Sequence, residues 1–405
     1  MAQLLRTLPL PLLPDQMETR ESLPQASAVS DIEVALVFRR NVTSPVVKGY
    51  RRSAVYDFQR SYYRLVPNDL ANVLDKIDGL TPMQALDHFR AVESDFKQYL
   101  ELLLDREYVM LVEPDMYACF SELKVTFRTP SVITNTIIDL RTDTNMTFIQ
   151  ECVNLLAELH CYHIMFRWPN GTTLADIENV ATKLDNTHLE NVQFMYDEQW
   201  AEGKIGAQRL IDRWPWLAAI YLTNAHAQEW GVEHNPVRSV LCIAHGMNEF
   251  EVDRERMLVQ QRLYNESQWH NTFANRKLHI DSLGSFSNTP FSAKRWSFNH
   301  EDLSEIISIV KTDEFKVDWD VTKDNIDVCR NCEHRHMCVD PVLPVKRNDS
   351  SYYRPRECAY NPYICKWKGE DGYRNLAECG VVSNADGFTI DHDRIATINA
   401  ELWGE

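Results

Sequence analysis

No window of this 405-residue chain holds the roughly 18 consecutive apolar residues that a membrane-spanning helix requires, so no membrane partner is expected. An excess of basic charge is lacking too. Against 59 Asp and Glu stand only 42 Lys and Arg, a net charge of −17. Nucleic-acid binding needs clustered cations to replace phosphate counterions, so nucleic acid is not an expected partner either. A small basic patch for an acidic peptide is still compatible with that balance. Also missing are the glycine-rich dinucleotide fingerprint, the P-loop, the nucleophile elbow GxSxG and the HExxH zinc helix, which removes the chemistries those motifs announce.

What is present reads as a multi-domain globular protein. A chain of this length outgrows a single core, so two or three domains are expected. Hydrophobic residues make up 44% and charged residues 25%, a balance that buries a core. Near the start, Arg6, an apolar run over 8–14 and the small residues Ala26, Ser27 and Ala28 outline a secretory signal. Pro9, Pro11 and Pro14 break that run, and Asp15, Glu18, Arg20 and Glu21 intervene before the small residues. Residues 1–30 are therefore expected to be a flexible arm on a cytoplasmic protein.

From Asp31 the apolar residues Ile32, Val34, Leu36 and Phe38 alternate with polar or small ones, the period of a strand. Residues 53–58 read as a second strand. Pro67, Asn68 and Asp69 open a helix carrying Leu70, Val73, Leu74 and Ile77, and Gly79 ends it. Thr81 and Pro82 cap another, whose periodicity runs from Leu86 to Leu104 before a short strand at 108–112. A hairpin, helices and a returning strand predict a winged-helix-like module over 31–115. From Ile133 the rhythm changes. Strand-like runs at 136–140, 163–168, 192–196, 218–222 and 239–244 alternate, early on, with helical patterns at 148–159 and 174–184. Repeated β-α units predict an α/β fold, a parallel sheet or partial barrel of about four to six strands, over 125–276. Residues 277–405 read as loop-rich, ending in a short helix after Asp391.

The ten cysteines are unevenly placed. Cys119, Cys152, Cys161 and Cys242 are scattered and read as small hydrophobes. The other six, Cys329, Cys332, Cys338, Cys358, Cys365 and Cys379, crowd into the final segment, which in a reducing compartment favours a metal over disulfides. In Cys329-x2-Cys332-x5-Cys338 the two-residue gap lets two thiolates of one turn grip the same metal, and Cys358 is the expected fourth ligand. An iron–sulfur cubane and a tetrahedral zinc both accept four thiolates. His334 and His336, between the cysteines, could substitute at a zinc site but read as loop residues bonded to backbone or water. Glu233-His234 and Asp391-His392-Asp393 read as surface or cap features.

These residues resemble a family. KLHIDSLG at 277–284, SNTP at 287–290, VCRNCEHRHMC at 328–338 and CAYNPY at 358–363 are similar to a SPASM domain, the auxiliary-cluster domain of peptide-modifying radical SAM maturases. The tail, GFTID at 387–391 to ELWG at 401–404, resembles more narrowly the SPASM-domain peptide maturases of "grasp-with-spasm" systems. The resemblance implies a radical-SAM-like partial (β/α) barrel followed by a SPASM domain over 277–405. It also implies a ribosomal precursor peptide and an ATP-grasp ligase as partners.

Departures from the pattern narrow what it implies. Thr289 and Val342 stand where the thiolates of a first auxiliary cluster belong, so one cluster is expected, on Cys329, Cys332, Cys338 and Cys358. After the first barrel strand, where CxxxCxxC should hold the SAM-cleaving cluster, the chain reads RTDTNMTF at 141–148. FRWPNG at 166–171 replaces the glycine-rich SAM-contacting turn. The resemblance thus implies one 4Fe-4S cluster (or zinc), no SAM cleavage, and a maturation protein that serves its ligase. The alternatives are a maturase that uses its remaining cluster and a zinc-stabilised structural protein. The N-terminal module resembles the PqqD-like winged helices that hold a leader peptide as an added strand. Lys48, Arg51 and Arg52 supply local positive charge for an acidic leader.

Overall fold

A computed structural model describes residues 36–225, 239–243, 252, 254, 257–299, 303–348 and 350–404. The expected N-terminal arm, Ile32, Val34 and the Glu233-His234 pair lie outside these residues. The first unit runs β1 (Val37–Arg40), β2 (Val46–Lys48), β3 (Arg52–Asp57), β4 (Tyr62–Pro67), α1 (Asn68–Ile77), α2 (Pro82–His88), α3 (Glu93–Asp105) and β5 (Val109–Val112). β2, β3 and β4 form an antiparallel meander, and β5 returns to pair antiparallel with β1. Leu70, Val73, Leu74 and Ile77 of α1 turn inward together because they share one helical face. Thr81 and Gln84 close a capping box at the start of α2. The helical pattern read through Leu86 to Leu104 is broken by a 3-10 turn at Arg90–Val92. There Phe89 folds back to stack on Phe96 at 4.8 Å, so the apolar face survives the break.

A short helix, α4 (Pro114–Tyr117), leads toward the central sheet. β6 (Asn135–Asp139), α5 (Met146–Glu158), β7 (His163–Arg167), α6 (Leu174–Leu184), β8 (Asn191–Asp197), α7 (Gly203–Arg213), β9 (Leu217–Thr223) and β10 (Ser239–Ile243) alternate as expected. The order β10-β9-β8-β7-β6 steps in one direction, all parallel. After α8 (Gln261–Ser267) the chain adds β11 (Lys277–Ile280) parallel to β6, then β12 (Ser285–Ser287) and β13 (Trp296–Ser297) antiparallel. The result is an eight-stranded, mostly parallel sheet, larger than the sequence suggested. The three extra strands come from the segment read as loop-rich, because runs of two to four residues carry too little periodicity to register.

Successive strands stepping one way put their crossover helices on one face. Ile149, Cys152 and Leu156 of α5, Ile177 and Ala181 of α6, and Leu210 of α7 pack with Ile138, Ile164, Phe166, Phe194 and Ile220 in a single core. The strands' alternate residues, Ile137, Met165, Met195 and Tyr221, face the other way against Phe273.

Beyond the sheet, α9 (Ser304–Ile309) is followed by three short ladders: β14 (Val345–Lys346) with β15 (Tyr352–Tyr353), β16 (Tyr360–Asn361) with β17 (Lys366–Trp367), and β18 (Val381–Ser383) with β19 (Phe388–Ile390). α10 (His392–Trp403) closes the chain, with Asp391 accepting the Arg394 N–H at 3.0 Å as its cap. No helix among the described residues is long and apolar enough to cross a membrane.

Candidate metal centre

Cys329 opens a 3-10 turn, Cys329–Asn331, with Cys332 just beyond it. The residue before, Val328, has φ +63°, a backbone conformation that a β-branched side chain strongly resists. Strain of this kind persists only where surrounding structure imposes it, often beside functional groups. Cys338 follows on a turn whose N–H donates to the His334 carbonyl at 3.0 Å, and Cys358 arrives just before β16. All four expected ligands line one small cavity, with Lys323, His334, Arg335, Asp340, Val252 and Met257 around them.

The surroundings of the cavity favour neutral thiols. Burial pushes the Cys329 thiol up to about 12, while Lys323 pulls it back down and Asp340 and Cys358 push it further. Burial likewise raises Cys332, Cys338 and Cys358, and neighbouring thiols reinforce the shift at Cys332 and Cys338. Four desolvated sulfurs that feel one another need a cation to become thiolates, and a bound metal deprotonates its thiols outright. Backbone N–H groups already aim at two of them: His334 at Cys332 Sγ, 3.4 Å, and Tyr360 at Cys358 Sγ, 3.5 Å. Such bonds stabilise and tune sulfur ligands. Among the described residues, no group of three or more His, Cys, Asp or Glu is placed so that it could hold a metal ion. A tetrahedral zinc would draw its sulfurs to about 3.8 Å from one another. The four thiols are donors of the right chemistry for thiolate ligation, but their sulfurs as they stand are not placed to hold a metal ion.

Cys365 and Cys379 stand apart from this cavity. Cys365 faces a separate groove, and Cys379 is buried among Tyr363, Ile364 and Val381, taking the Asn361 amide at 3.3 Å. Thr289 bonds Ser292 at 3.1 Å, and Val342 is buried. Of the two histidines, His336 is buried and meets the Ser267 side chain, Oγ at 3.0 Å, where a bond to backbone or water was expected. His334 is 1% exposed with neither ring nitrogen hydrogen-bonded among the described residues. His392 bonds Tyr50 at 2.7 Å at the head of α10, in keeping with a cap feature.

The N-terminal module is bonded to the cysteine loop. Tyr50 N–H donates to Asn331 O (2.8 Å), Tyr56 OH to Glu333 O (2.7 Å), and Arg335 to Lys48 O (2.7 Å). Gly49 permits the approach, since a Cβ there would lie 2.9 Å from Glu333 N. Arg52 Nε reaches Glu333 Oε1 at 2.6 Å and its Nη2 reaches the Tyr360 hydroxyl at 3.0 Å, while Tyr360 also donates to Glu333 at 2.5 Å. Lys48 pairs with Asp75 at 2.8 Å, and Arg51 lies over the Trp403 ring at 4.8 Å. The three basic residues singled out for a leader peptide thus have three different partners.

A second polar cluster, not anticipated from the sequence, lies where β6, β7 and β11 end. Asp139 receives Arg167 (2.7 Å through Nη2) and His279 Nε2 (2.9 Å), and His279 Nδ1 meets Ser287 at 3.3 Å. Burial works against the Asp139 carboxylate, but the His279 hydrogen bond and the Arg167 charge outweigh it and hold it near 2. Carboxyl ends of parallel strands are where α/β proteins place ligands. The loop following β6 carries Arg141 paired with Asp143.

Compared with known proteins, the chain matches no family model and no curated protein.

Proposed function

We propose that the chain is a maturation protein for a ribosomal precursor peptide that acts with an ATP-grasp ligase in the cytoplasm. In this reading Cys329, Cys332, Cys338 and Cys358 carry one 4Fe-4S cluster, and the β/α sheet is a degenerate radical-SAM-like partial barrel that does not cleave SAM. The observation that carries it is the convergence of those four thiols, from three separate stretches of the chain, on one cavity. The one-way order of parallel strands supports the partial-barrel reading. A three-stranded meander followed by three helices supports a winged-helix-like module.

The peptide is proposed to add as a strand to β4, which lies at the end of its sheet and among the described residues pairs with β3 alone. Lys48, Arg51 and Arg52 act in this scheme through their summed field on association rate, since each already has a partner. When bound, the cluster supplies either electron transfer or structural cross-linking.

Anaerobic purification with iron, sulfide and zinc counts tests the centre. About four irons and four sulfides per chain are expected. One zinc without sulfide would move the reading to the zinc-stabilised structural protein, which the same four thiols would serve. Formation of 5′-deoxyadenosine by the reduced protein alone would overturn the SAM-free assignment. Reconstituting ligase and candidate precursor with and without this protein tests the partnership, and an unchanged product yield would remove it.

A further inference from the structure

Beside β4 lies a groove of about 350 Å³, within the usual size range for sites that take a small molecule or a side chain. Tyr63 and Leu65 of β4 form one wall, Lys366 and Trp367 of β17 the other, and Trp403 of α10 completes it. His334 also lines the groove, caged by Tyr63 at 5.4 Å, Tyr360 at 4.9 Å and Trp367 at 6.0 Å. Its ring is buried at the back of the groove, and neither nitrogen has a hydrogen-bond partner among the described residues; the Glu333 carboxylate stands 3.7 Å from Nε2, beyond hydrogen-bond reach. A buried donor left without a hydrogen bond is costly, and a polar group in the groove would relieve that cost. The charge lining the groove is three cations, Arg52, Arg254 and Lys366, to two carboxylates, Glu370 and Asp371. Arg52 is held by Glu333, and Arg254 pairs with Glu370 at 3.6 Å. Lys366 rests on the Trp403 ring at 4.6 Å, and no carboxylate among the described residues reaches it.

We propose that this groove receives an acidic side chain of a peptide laid along β4, with a ring N–H of His334 and the Lys366 ammonium as its polar contacts and Trp367 and Trp403 as its walls. The proposal rests on strand addition at β4, and it adds what is read there. Side chains of an added strand alternate between faces, so every second residue lies on the side of Tyr63 and Leu65. A carboxylate gives a hydrogen-bond acceptor to the imidazole and a counter-charge to Lys366, which among the described residues has no carboxylate, whereas an amide leaves the lysine without a counter-charge.

Two probes separate the groove from the strand. N-acetyl-glutamate N-methylamide, titrated into the full-length protein and followed by Trp367 and Trp403 fluorescence, is expected to bind saturably. The glutamine analogue is expected to bind roughly tenfold more weakly, and Lys366→Glu to weaken the glutamate probe by about as much with unchanged metal content. Equal binding of the two analogues, no binding of either, or an unaffected Lys366→Glu overturns the proposal. The second probe is the hexapeptide acetyl-Thr-Val-Glu-Val-Thr-Val-amide, plain and N-methylated on alternate residues so that it cannot form a ladder. If both forms bind alike while glutamate still beats glutamine, strand addition fails and the acid-binding groove stands. If only the plain form binds but glutamine serves as well as glutamate, the strand stands and the groove proposal falls.

Discussion

The parallel sheet and the cysteine-bearing region that follows it are both well buried, yet they hold together in different ways. The sheet has one continuous apolar core fed by α5, α6, α7 and α9 and most of its strands. Its residues do their work by area removed from water, about 25 cal/mol per Å². The cysteine region has ladders of two or three residues and two small apolar clusters. Charge pairs knit it instead: Arg347 with Asp327, Arg354 with Asp340 at 2.7 Å, Arg52 with Glu333 at 2.6 Å. Buried pairs fix geometry better than they add stability. A region built so needs another source of free energy, and four thiols around one cavity offer a metal as that source.

The sharpest way to break this comparison is Cys332→Ala. Thiolate–metal binding in small loop-rich units contributes on the order of 10 kcal/mol, so the variant should lose its metal and residues 326–404 their order. Hydrogen exchange would read this directly: fast exchange there, with protection retained in β6–β9. Unchanged protection in the cysteine region would mean that the ladders and ion pairs suffice alone.

The reverse lesion is Phe166→Ala. Phe166 is 0% exposed in the middle of β7, near Trp168 and Phe194. Removing the ring should cost about 3–5 kcal/mol, seen as a lower thermal midpoint, while the protein that remains folded keeps its full metal content. A loss of metal in step with stability would show that the two regions are one cooperative unit.

Arg52→Ala cuts the joint between the N-terminal module and the cysteine loop. It leaves Glu333, 0% exposed, without its cation, at a cost of about 3 kcal/mol in urea unfolding. Arg52→Lys should rescue little, because one ammonium cannot reproduce the separate Nε and Nη2 contacts to Glu333 and Tyr360. Full rescue by lysine would reduce the joint to a simple charge effect.

The same contrast explains which parts were legible in the sequence. The five strands β6–β10 and helices α5 and α6 fell within a residue or two of the apolar runs and caps, because burial on a sheet or helix face writes a local period. α7 was not read. Gly203 and Gly206 lower helical propensity at its start, and Gly206 is needed there because a Cβ would sit 2.0 Å from the Ala201 carbonyl. That Cys329, Cys332, Cys338 and Cys358 come together was legible because the first three crowd within ten residues and the fourth follows in the same segment. Arg52–Glu333 and Asp139–His279 left no local trace, being pairings between residues far apart in the chain. His334 looked like an ordinary loop residue, since only the fold reveals that its ring is buried without a hydrogen bond among the described residues.

The smallest expected effect sharpens the comparison from the sheet's side, where one charge cluster interrupts an otherwise apolar logic. Asp139 goes from an ordinary 3.8 to about 2 on folding, because His279 and Arg167 outweigh the cost of its burial. A carboxylate whose folded value is depressed contributes stability that is fully present above its unfolded value and is lost as the pH falls through the folded one. The shift corresponds to about 2 kcal/mol, at stake between roughly pH 4 and pH 2. Asp139→Asn should therefore lower the urea midpoint at neutral pH and flatten its decline across that acid window, the two curves converging near pH 2. If the variant falls as steeply as the parent between pH 4 and pH 2, Asp139 is not the titrating group there. The acid sensitivity of the fold would then lie with the carboxylates of the cysteine region, Asp340 foremost, whose value Arg354 also holds down against burial.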